Sequence, residues 1–332
     1  VGAGAEHTCA VSTSRELWCW GRNDRGQLGL SELVDTPSPT RVPGLADVIS
    51  VDGGEDFTCA AVGTQVEGTW ATWALRCWGG NAFGQLAAGS SGGFRVEQAD
   101  VALGSSVNNR VWGLGAFHGC LSAIFADPEL KMQCWGLNTD RQASSSTGPL
   151  GGTAAPFVPY PASAWTGAFP PGSVELGAAY TLFDLRGWGA NSLGQLGPTI
   201  AANEQERDVV TPGPGGSHSQ WAGWTHSCRG THTTFKPAHV GSFACWGDNA
   251  SLQVGVDDNG VQIAPPTTIL TFNPATAALG QRHTCIDMLW DATDAAGWKT
   301  SVKCWGANDY GQLGQGAVGD PVGIPTTVLF PD

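Results

Sequence analysis

Basic residues are scarce in this chain of 332 residues: four lysines and twelve arginines stand against 29 acidic residues, and the net charge is −13. No Lys/Arg cluster is present to neutralise a row of phosphates, so nucleic acid is excluded as an expected partner. An acidic surface of this kind serves solubility. Charged residues of all kinds make up only 14% of the chain, beside 48 Gly and 20 Pro, which argues against a helical protein and suits many short strands and turns. Apolar runs long enough to cross a membrane are missing; the longest uncharged stretch, Gln142 to Val174, is interrupted by Gly, Pro and Ser and reads as loop, so no membrane insertion is expected. G-x-S-x-G, H-E-x-x-H, P-loop and G-x-G-x-x-G signatures are absent, so no catalytic residue and no cofactor are expected. The first residues, VGAGAEHTC, already belong to a repeat, and any secretory leader is expected to have been removed upstream of them.

What the chain does contain is one motif six times over. A Trp-Gly pair is followed by Asn two residues after the Gly and by Gln four residues later: Trp20…Asn23…Gln27, Trp78…Asn81…Gln85, Trp135…Asn138…Gln142, Trp188…Asn191…Gln195, Trp246…Asn249…Gln253 and Trp305…Asn308…Gln312. The Trp-to-Trp steps are 58, 57, 53, 58 and 59 residues. A fixed period of this size, filled with short Val-, Thr- and Trp-rich segments between glycines, predicts an all-β propeller in a single domain. We expect about six four-stranded blades (seven if material is missing), from repeats at about 1–47, 48–107, 108–172, 173–217, 218–274 and 275–332.

The ten cysteines occupy two repeat positions, one five residues after a Gly and the other immediately before the Trp-Gly pair. This predicts the pairs Cys9–Cys19, Cys59–Cys77, Cys120–Cys134, Cys228–Cys245 and Cys285–Cys304. In the fourth repeat Leu182 and Gly187 stand at the two positions, so both cysteines are lost together, as bonded partners would be. Facing positions on adjacent antiparallel strands suit such a bridge. Zinc is a poor rival, because the spacings are long and no C-x-x-C occurs. Five bridges imply an oxidising location: secreted, periplasmic or cell surface.

A polar pair required in every blade is expected to close a turn by bonding backbone groups, so Asn and Gln of the motif read as frame rather than as a binding site. His7, His118, His226 and His283 share one repeat position, where Phe57 and Tyr180 replace them in the other two repeats. Aromatic replacement favours packing or a backbone hydrogen bond over a metal site. The turn-like run Asp257–Gly260 lacks the alternating ligands of a calcium loop. No metal is expected.

Two segments, Arg22-Asn-Asp-Arg-Gly-Gln-Leu-Gly29 and Ala307-Asn-Asp-Tyr-Gly-Gln-Leu-Gly314, with Gly4-Ala-Glu-His7-Thr8-Cys9 and Gly280-Gln-Arg-His283-Thr284-Cys285, carry a family resemblance. The repeats resemble those of the regulator of chromosome condensation family, here as a secreted, disulfide-containing, bacterial-like variant. The third and fifth units depart from the pattern, at Asp140-Arg-Gln-Ala143 and Ser251-Leu-Gln-Val254. The resemblance implies a β-propeller. It also brings two roles seen in the family: guanine-nucleotide exchange on a small GTPase among nuclear members, and enzyme inhibition among secreted ones.

With strands a to d numbered from the axis outward, the b–c connections vary most between repeats and carry Trp70, Trp73, Phe125, Phe235, Trp290 and Trp298. Aromatic loops on a rigid scaffold make a recognition surface, although the same aromatics in extended hairpins would pack on one another. The expectation is therefore a non-enzymatic, extracellular or cell-surface scaffold that uses loops on one face to bind a protein or to self-assemble. A carbohydrate-binding or carbohydrate-processing propeller is the alternative.

Overall fold

The computed structural model describes residues 1–66, 69–70, 73–101, 106–125, 132–137, 151–157, 174–177, 180–183, 186–189, 206–208, 217–232, 241–256, 263–270, 276–288 and 301–330. These form a β-propeller built of four-stranded antiparallel sheets, and five blades each carry a disulfide. The first sheet comprises Gly2–Ala3, His7–Val11, Leu17–Gly21 and Thr36–Arg41; the second Val48–Gly53, Phe57–Val62, Ala74–Gly80 and Phe94–Asp100; the third Ser106–Leu114, His118–Phe125, Met132–Gly136 and Gly151–Phe157. The fourth comprises Val174–Leu176, Tyr180–Phe183, Arg186–Gly189 and Glu206–Asp208; the fifth Ser217–Ala222, His226–His232, Gly241–Gly247 and Ile263–Leu270; the sixth Thr276–Leu279, His283–Met288, Ser301–Asn308 and Gly319–Thr327. Each a strand touches the a strands of the neighbouring sheets, including first against sixth, so the a strands surround one axis.

Sheet register follows the repeat. Cys9 lies opposite Cys19 and Cys59 opposite Cys77, and the same pairing recurs in the third, fifth and sixth sheets. All five predicted bridges are present, with Cα separations of 4.0–4.1 Å. In the fourth sheet Leu182 faces Gly187 in the same register.

The Trp-Gly pair has a steric cause. Gly21 has φ +103°, and a Cβ there would overlap the Glu6 carbonyl; Gly79, Gly247 and Gly306 repeat the geometry with φ +103°, +107° and +106°. Only glycine takes this backbone without strain. Three residues before each histidine stands another glycine, and a Cβ on Gly4, Gly115 or Gly280 would enter the imidazole of His7, His118 or His283.

The core lies between sheets. Trp20, Trp78, Trp135, Trp246 and Trp305 are fully buried, and Trp78 packs with Leu28, Val42 and Val51 across the first seam. Each buried indole removes about 150–250 Å² from water, which makes these five the main apolar anchors of the ring.

Candidate functional site

The polar residues of the motif build the a–b and c–d end of the propeller. Asn23 Oδ1 accepts from Leu28 N at 2.9 Å while its Nδ2 donates to the Glu32 carbonyl, and Gln27 Oε1 accepts from Arg25 N at 2.9 Å. Asn81 with Gln85, Asn249 with Gln253 and Asn308 with Gln312 make the same bonds in their own c–d connections. Each Asn and Gln thus satisfies loop backbone groups that would otherwise be buried without partners.

The turn so fixed presents the backbone carbonyl of Gln to the next sheet. Gln27 O accepts from Trp78 Nε1 at 3.0 Å and from Thr58 Oγ1 at 2.6 Å. Gln253 O accepts from Trp305 Nε1 and Thr284 Oγ1, and Gln312 O accepts from Trp20 Nε1 and Thr8 Oγ1, which ties the last repeat to the first. Because each Thr hydroxyl has spent its proton on the carbonyl, it accepts from the imidazole Nε2–H: His7 to Thr58 at 2.8 Å, His226 to Thr284 at 2.8 Å and His283 to Thr8 at 2.9 Å. These histidines are neutral, with their protons on Nε2. Burial lowers His7, His118, His226 and His283 to about 3, with smaller contributions from His283 on His7 and His226 and from Arg282 on His283. Among the described residues no group of three or more His, Cys, Asp and Glu is placed to hold a metal ion.

On the outer surface of this end lies a charged cluster. The Glu6 carboxylate bonds Arg22 at 2.7 Å and Arg282 at 3.0 Å; Arg22 reaches Asp24 at 2.8 Å, and Arg282 reaches Asp309 at 2.7 Å. The Arg22 guanidinium also stands 5.3 Å from the Tyr310 ring centroid. Burial works against charge on both arginines, but their carboxylate partners outweigh it and hold both guanidinium groups above their ordinary range. Beside the cluster, burial and then Asp56 push Glu55 up to about 7, and burial raises Asp56. An aromatic row borders them: Phe83 meets Phe117 edge-on at 4.9 Å, and Phe117 lies 6.4 Å from Trp224. Exposed apolar side chains sit on the rim of the same end: Leu33 and Val34 in the c–d connection of the first blade, Phe83 in that of the second with Phe94 at the start of its d strand, and Val318 in that of the sixth.

The residues expected on the opposite end fare unevenly. Trp73 is partly buried and packs against the core between the second and third sheets. Trp70 ends the short strand Thr69–Trp70, which pairs with Gln65–Val66 as a hairpin apart from the blade, and Phe125 ends the strand His118–Phe125. Phe235, Trp290 and Trp298 lie outside the described residues, as do Asn138, Gln142, Asn191, Gln195 and the run Asp257–Gly260; Trp188 lies in the strand Arg186–Gly189. The charged cluster and its apolar rim were missed. Their signal was the repeated acidic or basic residue just before His or Phe (Glu6, Asp56, Arg282), facing variable residues of the c–d connections.

Fold and site together define a disulfide-stapled propeller whose polar residues mostly serve its seams. In sequence and in fold the chain is similar to RCC1-type β-propellers. Residues 16–61 and 1–27 match the regulator of chromosome condensation (RCC1) repeat. The ultraviolet-B receptor UVR8 of Arabidopsis thaliana is 29% identical over 342 residues, covering 100% of this chain and 70% of that protein. Human E3 ubiquitin-protein ligase HERC2 is 25% identical over 73% of the chain, which spans only 5% of that protein. Among solved structures, Prp20p of Saccharomyces cerevisiae, described with binding properties to Gsp1p and histones, superposes with a TM-score of 0.63 at 17% identity, covering 99% of this chain and 76% of that one. Human WBSCR16 superposes with a TM-score of 0.60 at 17% identity, over 99% of this chain and 81% of that one.

Proposed function

We propose that this chain is a non-enzymatic, extracellular or cell-surface protein-binding propeller of six blades, whose partner seats on the a–b and c–d end of the sixth, first and second blades. One observation carries the choice of face: five of the eight exposed large apolar side chains among the described residues lie at that end, which also carries the Glu6–Arg22–Arg282 cluster. Apolar contacts around a charged centre are the composition of a specific interface. The five disulfides favour an oxidising location. Six blades agree with six four-stranded sheets and with the bond from Trp20 to the Gln312 carbonyl. Prp20p, a structural neighbour, is described as binding Gsp1p and histones, which lends weight to a protein ligand.

Immobilised protein incubated with the extracellular fraction of its source is expected to retain a partner that Val34→Glu/Phe83→Glu loses and Trp70→Ala/Trp298→Ala keeps. The opposite pattern would move the interface to the b–c inserts, and equal capture by all three proteins would remove both surfaces. Carbohydrate binding is the second reading, favoured by the aromatic hairpin at Gln65–Trp70; saturable glycan binding lost in Trp70→Ala would support it instead.

A further inference from the structure

The a strands leave a cavity of about 1010 Å³ on the axis, lined from every sheet and reaching from Ser12 and Thr13 in the first b–c turn to Trp224 in the fifth a–b turn. Much of its wall is apolar, with Leu114, Leu176 and Leu279 at equivalent positions of the third, fourth and sixth sheets. Trp112 and Trp221 add aromatic surface. One acid stands deep in this wall. Asp52 accepts Gly53 N at 2.9 Å on one oxygen and Leu114 N at 2.8 Å on the other, which fixes the carboxylate between the second and third sheets. Each oxygen keeps a lone-pair direction beyond these two bonds.

We propose that the axial cavity binds a small organic cation with an apolar or aromatic body, its ammonium on the Asp52 carboxylate and its body against the Trp112 side of the cavity. The volume matches the upper range of small-molecule sites, which run to about 1,000 Å³ and combine apolar walls with few fixed polar groups. A carboxylate held by two backbone amides is oriented before a ligand arrives, and an ammonium beside an aromatic wall gains both ion pairing and cation–π attraction. Glu16, paired with Arg41 at 2.8 Å, and Asp287 also line the cavity, with Arg15 among them.

The test is calorimetric titration of the whole chain with phenethylammonium and, separately, with 2-phenylethanol of the same shape. Saturable binding of the ammonium at pH 7.5 is expected, with the alcohol at least tenfold weaker. Affinity should fall about tenfold between pH 7.5 and pH 5, because burial holds the Asp52 carboxyl up to about 6 and the protonated acid loses its charge. Asp52→Asn should lower affinity at least tenfold. Should that variant not fold, Ala278→Phe, which places a ring in the cavity from the sixth sheet, should abolish binding while the thermal midpoint is retained. No saturable heat from the ammonium, equal affinity for the alcohol, or an affinity unmoved by pH or by whichever variant folds would each overturn the proposal.

Discussion

The seam between the first and second blades and the seam between the second and third are built on the same scaffold with different chemistry. In the first, His7 donates to Thr58, Thr58 donates to the Gln27 carbonyl, and Trp78 donates to that carbonyl as well. In the second, Phe57 stands where His7 stood and Gly119 where Thr58 stood, and only the indole bond remains, from Trp135 to the Gln85 carbonyl. The exchange is concerted. A histidine here would lack its hydroxyl, and a Cβ at Gly119 would overlap the Trp135 ring. Phe57 instead packs, fully buried, into one cluster with Trp135, Leu114 and Leu121. The indole-to-carbonyl bond is therefore the common element of both seams, and between these two seams the His–Thr relay is present or absent as a pair.

The largest effect should come from the common element. Trp78→Ala and Trp135→Ala each remove a fully buried indole, and each should cost about 3–5 kcal/mol in reversible denaturant unfolding. Trp78→Ala still leaves the Gln27 carbonyl with its Thr58 donor, whereas Trp135→Ala takes the only donor shown for the Gln85 carbonyl, so the second should be the costlier. Equal costs, or a lower cost at Trp135, would show that cavity formation alone sets the penalty.

Much of this frame was legible before the structure, because a sixfold repeat gives its own controls. The paired loss of cysteine at Leu182 and Gly187 reveals the bridges, and the constancy of Asn and Gln reveals turn closure. The relay was less legible, because its final acceptor is a main-chain carbonyl in another repeat, which no side-chain pattern marks. Its trace was nonetheless there: Thr8, Thr58 and Thr284 share a position, and Phe57 and Gly119 depart from the pattern in adjacent repeats. The face carrying Leu33, Val34 and Val318 was not legible, since a short c–d connection reads as turn whether its apolar residues point inward or out. The axial acid Asp52 escaped for a related reason: one carboxylate in a strand gives no spacing to read.

A middle-sized effect separates the seams by pH. Burial lowers the four histidines to about 3 from an ordinary value of 6.5, so each stays neutral when folded and must charge on unfolding. Their share of stability is complete above pH 6.5 and is lost as pH falls from there toward 3. At pH 5 the loss amounts to about 2 kcal/mol per histidine, taken as an upper figure. Asp52, at about 6, and Glu55, at about 7, act with the opposite sign: their raised values cost stability at neutral pH, and protonation relieves that cost as pH falls. His118→Phe copies the apolar seam at a histidine whose two ring nitrogens have no partner among the described residues. Thermal midpoints of this variant and the parent, measured between pH 7.5 and pH 5, should diverge in favour of the variant on acidification. Parallel curves would mean that His118 does not titrate on unfolding.

The smallest effect measures the relay itself. Thr58→Val leaves the His7 Nε2–H without its acceptor and removes one of two donors to the Gln27 carbonyl. Orphaning such groups should cost about 1–3 kcal/mol. In a His7→Phe background the same change no longer strands an imidazole N–H, because the substituted phenyl ring presents none, just as Phe57 presents none to Gly119. The cost should then shrink, with a coupling of about 1 kcal/mol across the double-mutant cycle. Additive costs would mean that the hydroxyl stabilises the Gln27 carbonyl alone. In that case the joint appearance of Phe57 and Gly119 would reflect the space claimed by the Trp135 ring rather than a shared hydrogen bond.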